Sequence, residues 1–190
     1  SLTSANLPDS LVSIGENAFY ECNKLTIDRL PGSLATIGPY AFAGCTSITG
    51  VSLPDTVSEI GDGAFEGASS LGAFSSGKGL VRIGKNAFGL CTALKSVTLN
   101  DGLSEIGTDA FAETAIESID LPDSITTLGG CFSGCKELKT AKLPSQITVI
   151  GDDLFSGCGK LSEIVLPSGI TSIGNSAFKG CGSLSAPSIP

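Results

Sequence analysis

The chain has 190 residues, 41% hydrophobic and 16% charged, which is enough apolar material for a packed core and far from the polar composition of a disordered chain. Nineteen acidic residues against eleven Lys and Arg give a formal net charge of −8, which argues against a phosphate-tracking surface and against anionic membranes as partners. No apolar run reaches the ~18 residues that direct insertion in a bilayer needs, and the absence of His excludes Ser-His-Asp and Cys-His catalysis.

The phrase Ile-Gly-x-x-Ala-Phe-x-x-Cys recurs about every 23 residues, with its glycines at Gly15, Gly38, Gly61, Gly84, Gly107, Gly129, Gly151 and Gly174. Its phenylalanines are Phe19, Phe42, Phe65, Phe88, Phe111, Phe132, Phe155 and Phe178. Self-similarity at this period marks units that stack on one another. Residues 1–190 therefore read as one solenoid of about eight repeats of 22–23 residues.

Each unit carries three elements. The first, Leu-x-x-Ile-x-Leu, alternates inward and outward over its last residues, as in Leu161 to Leu166, and predicts a strand. Pro follows at Pro8, Pro31, Pro54, Pro122, Pro144, Pro167 and Pro190, where it ends the ladder and turns the chain. The second element, as in Ile170 to Gly174, is short and β-branched and predicts a second strand. Its glycine is expected to supply a backbone conformation that a β-carbon would obstruct. The third, x-Ala-Phe-x-x-Cys, sets Phe and Cys three apart behind Asn17, Asn86, Asp109, Asp153 and Ser176, all good N-caps. That pattern predicts one turn of helix.

The pattern breaks in defined places. In the strand over 25–30, Ile27 falls outward and Asp28 in the inward column, so a bulge or local rotation is expected to keep Asp28 out of the core. Ser76 and Gly77 replace Leu-Pro, the stretch from Phe111 to Ile116 is a residue short, and so is the Gly129-Gly130-Cys131-Phe132 segment, which moves Cys131 into the alanine column. These are expected sites of irregular curvature. Pro187 interrupts the last strand, where fraying is expected. Both ends fall inside the repeat phrase without polar capping units, and Ser1-Leu2-Thr3 shows no initiator Met or signal segment, so the chain is expected to be a piece of a longer protein.

Six of the seven cysteines, Cys22, Cys45, Cys91, Cys135, Cys158 and Cys181, share one column with Ala68 and Thr114. A position that accepts Cys, Ala and Thr is a small-volume core site, so inert buried thiols are the leading reading. Disulfides between adjacent rungs would need converging β-carbons, and a metal site would lack His and any Cys-x-x-Cys. Asp152 and Asp153 read as capping or exposed residues, and Asp9, Asp55 and Asp123 as turn residues after Leu-Pro. No catalytic residue and no cofactor or metal site is assigned.

The units Leu-Pro-x-x-Ile-x-x-Ile-Gly-x-x-Ala-Phe-x-x-Cys-x-x-Leu, at Leu30 to Ile48 and Leu166 to Leu184, resemble the BspA-like class of leucine-rich repeat. The resemblance covers nearly the whole chain. It implies an α/β solenoid: a right-handed superhelix with a parallel sheet on its concave face, short second strands and one-turn helices on the other sides. It also implies a large, modular, secreted or cell-surface protein that acts in adhesion by binding proteins of a host or neighbouring cell or its matrix. The expected function is thus a non-enzymatic, monomeric protein-binding module, with a passive spacer or a glycan-binding module as alternatives. The candidate binding face is the outward side of the first strands: Arg29, Ser52, Ser75, Ser96, Thr98, Ser118, Asp120, Thr140, Lys142 and Glu163. It lacks aromatic anchors, and the two tyrosines, Tyr20 and Tyr40, near the helical turns, mark a second candidate at the edge.

Overall fold

The structure, a computed structural model, describes residues 2–185. Pro187 and Pro190 lie outside the described residues. Among the described residues there are fourteen short strands of two kinds, which alternate from β2 onward. The three-residue strands β3 (Gly50–Ser52), β5 (Ala73–Ser75), β7 (Ser96–Thr98), β9 (Ser118–Asp120), β11 (Thr140–Lys142) and β13 (Glu163–Val165) come from the Leu-x-x-Ile-x-Leu phrase. The two-residue strands β1 (Ser13–Ile14), β2 (Thr36–Ile37), β4 (Glu59–Ile60), β6 (Arg82–Ile83), β8 (Glu105–Ile106), β10 (Thr127–Leu128), β12 (Val149–Ile150) and β14 (Ser172–Ile173) precede the Ile-Gly glycine.

All pairing is parallel and joins equivalent residues of successive units, such as Val51 with Phe74 and Ile119 with Ala141. The result is a parallel-strand solenoid. Its centre is a column of phenylalanine rings, each stacked on the next at centroid distances of 5.1 to 5.9 Å. Six of them, Phe42, Phe65, Phe88, Phe111, Phe132 and Phe155, are fully buried, and the end members Phe19 and Phe178 are half-buried because each has a ring on one side only. Burial of this kind is the main stabilising term, since a lone unit leaves both its faces wet.

The expected helical turn is not formed, and the fold is all-β among the described residues. In a helix every N–H after the first turn points back along its own axis. Here only alternate N–H groups do so: Ala18 donates to Gly15 O, Tyr20 to Asn17 O and Cys22 to Phe19 O. The intervening ones reach the next rung: Asn17 N–H donates to Pro39 O, Phe19 N–H to Ala41 O and Glu21 N–H to Ala43 O. The third side is therefore a ribbon of turns with a ladder of its own. The supposed N-caps correct in the same way, for Asn17, Asn86, Asp109, Asp153 and Ser176 all lie at φ of 52 to 56°. They supply left-handed backbone, which Asn and Asp tolerate better than most residues.

Six of the Ile-Gly glycines, Gly38, Gly61, Gly84, Gly107, Gly151 and Gly174, are explained by close approach, since their φ is not left-handed; Gly15 and Gly129 have no such obstacle. A β-carbon on Gly61 would overlap the backbone of Gly38 and Pro39 in the preceding rung, and one on Gly84 that of Gly61 and Asp62. Two of the irregular stretches coincide with breaks in strand pairing. The first ladder is interrupted between β7 and β9, on either side of the short Phe111 to Ile116 stretch, and the second between β10 and β12, at Gly129-Gly130. Cys131 stands in the alanine column, its carbonyl accepting from Phe111 N–H at 2.9 Å. Around Asp28 the strand is lost: Thr26, not Ile27, bridges Ser4, Ile27 turns to pack against the core, and Asp28 stays exposed.

Candidate binding face

Strands β9, β11 and β13 each bury the middle residue, Ile119, Ala141 or Ile164, and expose the two flanking ones. Their register sets Thr140 between Ser118 and Glu163, and Lys142 between Asp120 and Val165. Lys142 Nζ lies 3.0 Å from Asp120 Oδ1, both side chains largely exposed, and Asp120 pushes the Lys142 ammonium above its ordinary pKa. These outward residues, with Pro167, line an open groove of about 700 Å³. A second groove of about 560 Å³ adjoins it, sharing Asp120 and Lys142 and adding Thr98, Asp101, Asp123 and Ser124. The combined trough crosses four rungs.

Six of the ten predicted face residues meet there: Thr98, Ser118, Asp120, Thr140, Lys142 and Glu163. Ser96 is exposed on β7 just outside it. Ser52 and Ser75 lie on β3 and β5, the edge and the middle strand of the other three-stranded sheet, Ser75 half-buried. Arg29 pairs with Asp9 and shares with Ser52 a separate hollow of about 270 Å³. Val165 is the residue that the choice of small polar side chains passed over. It is 54% exposed at one end of the trough, and its place in an outward column of the repeat was the available signal.

The acidic residues in question have structural partners. Asp55 Oδ1 accepts from Lys78 N–H and Asp123 Oδ1 from Ser145 N–H, so at these two turns the residue after Leu-Pro ties its rung to the next. The bond from Ser145 also holds the Asp123 carboxyl below its usual range. Asp152 Oδ1 accepts from Asn175 N–H at 2.7 Å, which makes it a clasp on the following rung instead of a helix cap. The cysteines are free thiols, and those at Cys45, Cys91, Cys135, Cys158 and Cys181 each donate to the phenylalanine carbonyl of a preceding rung at 3.1 to 3.2 Å. Burial raises their pKa, up to about 12 at Cys91 and about 11 at Cys45. No group of side chains among the described residues has metal-binding geometry, and no helix is long and apolar enough to cross a membrane.

Residues 1–80 and 71–185 match the profile of the BspA type leucine rich repeat region, in six copies. Among curated proteins no relative matches. The crystal structure of the T. pallidum leucine-rich repeat protein TpLRR is similar at TM-score 0.79 and 31% identity, over 96% of this chain and 82% of that one. A leucine-rich repeat protein from Bacteroides ovatus gives TM-score 0.60 and 26% identity, with 94% of this chain covering 58% of its length. The pneumococcal vaccine antigen PcpA, at TM-score 0.61 and 19% identity over 95% of this chain and 59% of that one, shares the fold.

Proposed function

We propose that this chain, which belongs to the BspA-type leucine-rich repeat family, is a non-enzymatic protein-binding module of a secreted or cell-surface protein, and that its first-strand face, taken as the concave one, is the surface it presents. The observation that carries the reading is the trough itself, since its two adjoining hollows draw residues from four successive rungs of the strand face. Leucine-rich repeats generally mediate protein-protein contacts, and the family is typically surface-associated in bacteria and non-catalytic.

The trough suits an extended segment of a partner protein. Val165 and Pro167 offer apolar contact at one end, and the Asp120–Lys142 pair gives polar register in the middle. Small hydroxylic residues of the neighbouring row, Ser118 and Thr140, let a backbone approach closely. Affinity from one such face is modest, and repetition along a longer array multiplies it.

The test is surface plasmon resonance against matrix and cell-surface proteins, comparing Val165→Asp and Thr140→Glu with Thr127→Glu on the second sheet as a control. The trough variants are expected to bind about tenfold more weakly, as loss of one central contact does. Equal binding by all three would reject this face. Absence of binding to every protein would favour a spacer.

A further inference from the structure

We infer that the turn side of the first rungs carries a second binding site, which takes an arginine side chain of a partner protein. Tyr20 and Tyr40, the only tyrosines of the chain, come together with Glu21, Glu66, Ala43 and Gly44 around a hollow of about 290 Å³. Both rings are well exposed, Tyr20 at 51% and Tyr40 at 38%. Neither glutamate forms an ion pair among the described residues, and no cation lines the hollow. The site lies apart from the strand-face trough and does not depend on it.

Two of its residues hold unfavourable backbone. Tyr40 has φ 53° at a place where the neighbouring rungs use Asn17 and Gly63, and Glu21 has φ 54° where the next two rungs use Gly44 and Gly67. Bulky side chains are disfavoured in that region. The neighbouring glycines give these side chains room, because a β-carbon on Gly63 would overlap the Tyr40 ring and one on Gly44 would crowd Glu21 Cγ at 3.3 Å. The chain thus keeps an aromatic ring and a carboxylate where Asn or Gly would relieve the backbone, and aims both at one hollow.

Two π faces beside two unpaired carboxylates are complementary to a planar cation. A guanidinium stacks on a tyrosine ring while donating to carboxylates on either side. An ammonium fits less well, having no plane to stack, and an anion is repelled.

The protein carries its own probe, since with no Trp its aromatic emission comes from these two tyrosines. Titration with the peptide acetyl-Gly-Arg-Gly-amide is expected to change tyrosine fluorescence saturably. The lysine peptide should bind more weakly and the citrulline peptide, isosteric but neutral, should give no change. Glu66→Gln should weaken the arginine response about two- to fivefold, the range an exposed ion pair supports. Tyr40→Asn, which installs the residue of Asn17 and Asn86, should abolish stacking on that ring while the melting temperature holds, with Tyr20 still reporting. Should Tyr40→Asn fail to fold, Glu21→Gly, the residue of most other rungs, serves in its place. No saturable response to the arginine peptide, an equal response to citrulline, or titrations unchanged in the variants would each overturn the site.

Discussion

Phe111 has a ring stacked on either side, Phe88 at 5.3 Å and Phe132 at 5.7 Å, and no exposed surface. Phe111→Ala should therefore cost about 3–5 kcal/mol in denaturant unfolding, the range for emptying a packed aromatic site. A loss below about 1 kcal/mol would show that the column is not core. The cysteine column carries a different consequence. Its spacing and its exchange with Ala68 and Thr114 revealed a small buried position, but not the bond each thiol makes, because the acceptor is a carbonyl of another rung. Buried thiols have folded pKa values above their ordinary value of 9.0, so the folded chain holds their protons more tightly than the unfolded one. Their contribution is fully present below about pH 9 and is lost as pH rises through about 11 at Cys45 and Cys135 and about 12 at Cys91. Melting temperature should hold from pH 7 to about 9 and fall above it, and Cys91→Ala should fall less steeply than the natural chain.

At the level of elements, both strands of the unit were legible, because alternation and β-branching are properties of the chain's own neighbours. The third side was not. A helical turn and a turn ribbon share the same spacing of Phe and Cys and favour the same Asn and Asp, and they differ in where alternate N–H groups go, which is decided by the adjacent rung. Two columns of left-handed backbone result, and the second is glycine at Gly44, Gly67, Gly134, Gly157 and Gly180, Glu at Glu21 and Glu113, and Leu at Leu90, with φ 61° and 45% exposure. Leu90→Gly should raise stability by up to about 1 kcal/mol, backbone relief of about 1–2 kcal/mol being partly offset by the greater freedom of glycine in the unfolded chain. The Ile-Gly column behaves oppositely. Gly61→Ala should cost about 1–3 kcal/mol, because the obstacle is the backbone of Gly38 and Pro39 and not a side chain that can rotate away. Chemical denaturation of the pair tells relief of strain from loss of contact.

For the molecule as a whole, the question is whether the interruptions divide the solenoid. Apart from the lost strand around Asp28, where β2 and β4 still pair, two fall at successive interfaces. Where β7 fails to join β9, β8 and β10 still pair, and Phe111 and Glu113 N–H still donate to Cys131 and Ser133 carbonyls. One rung on, where β10 fails to join β12, β9 and β11 pair and Phe132 and Gly134 N–H reach Leu154 and Ser156 carbonyls. The phenylalanine stack passes through both, its spacing widening only from 5.3 to 5.9 Å. The position of the trough could not be read from the repeat, since every rung offers the same outward columns, while the residues facing into it could. Among the described residues no interface loses both of its ladders, so nearest-neighbour coupling stays strong enough to hold the rungs in one cooperative unit. Tyrosine fluorescence, which reports only the first rungs, and far-ultraviolet circular dichroism, which reports all of them, should give coincident denaturant transitions. A separate early transition in either signal would place a boundary between β7 and β12.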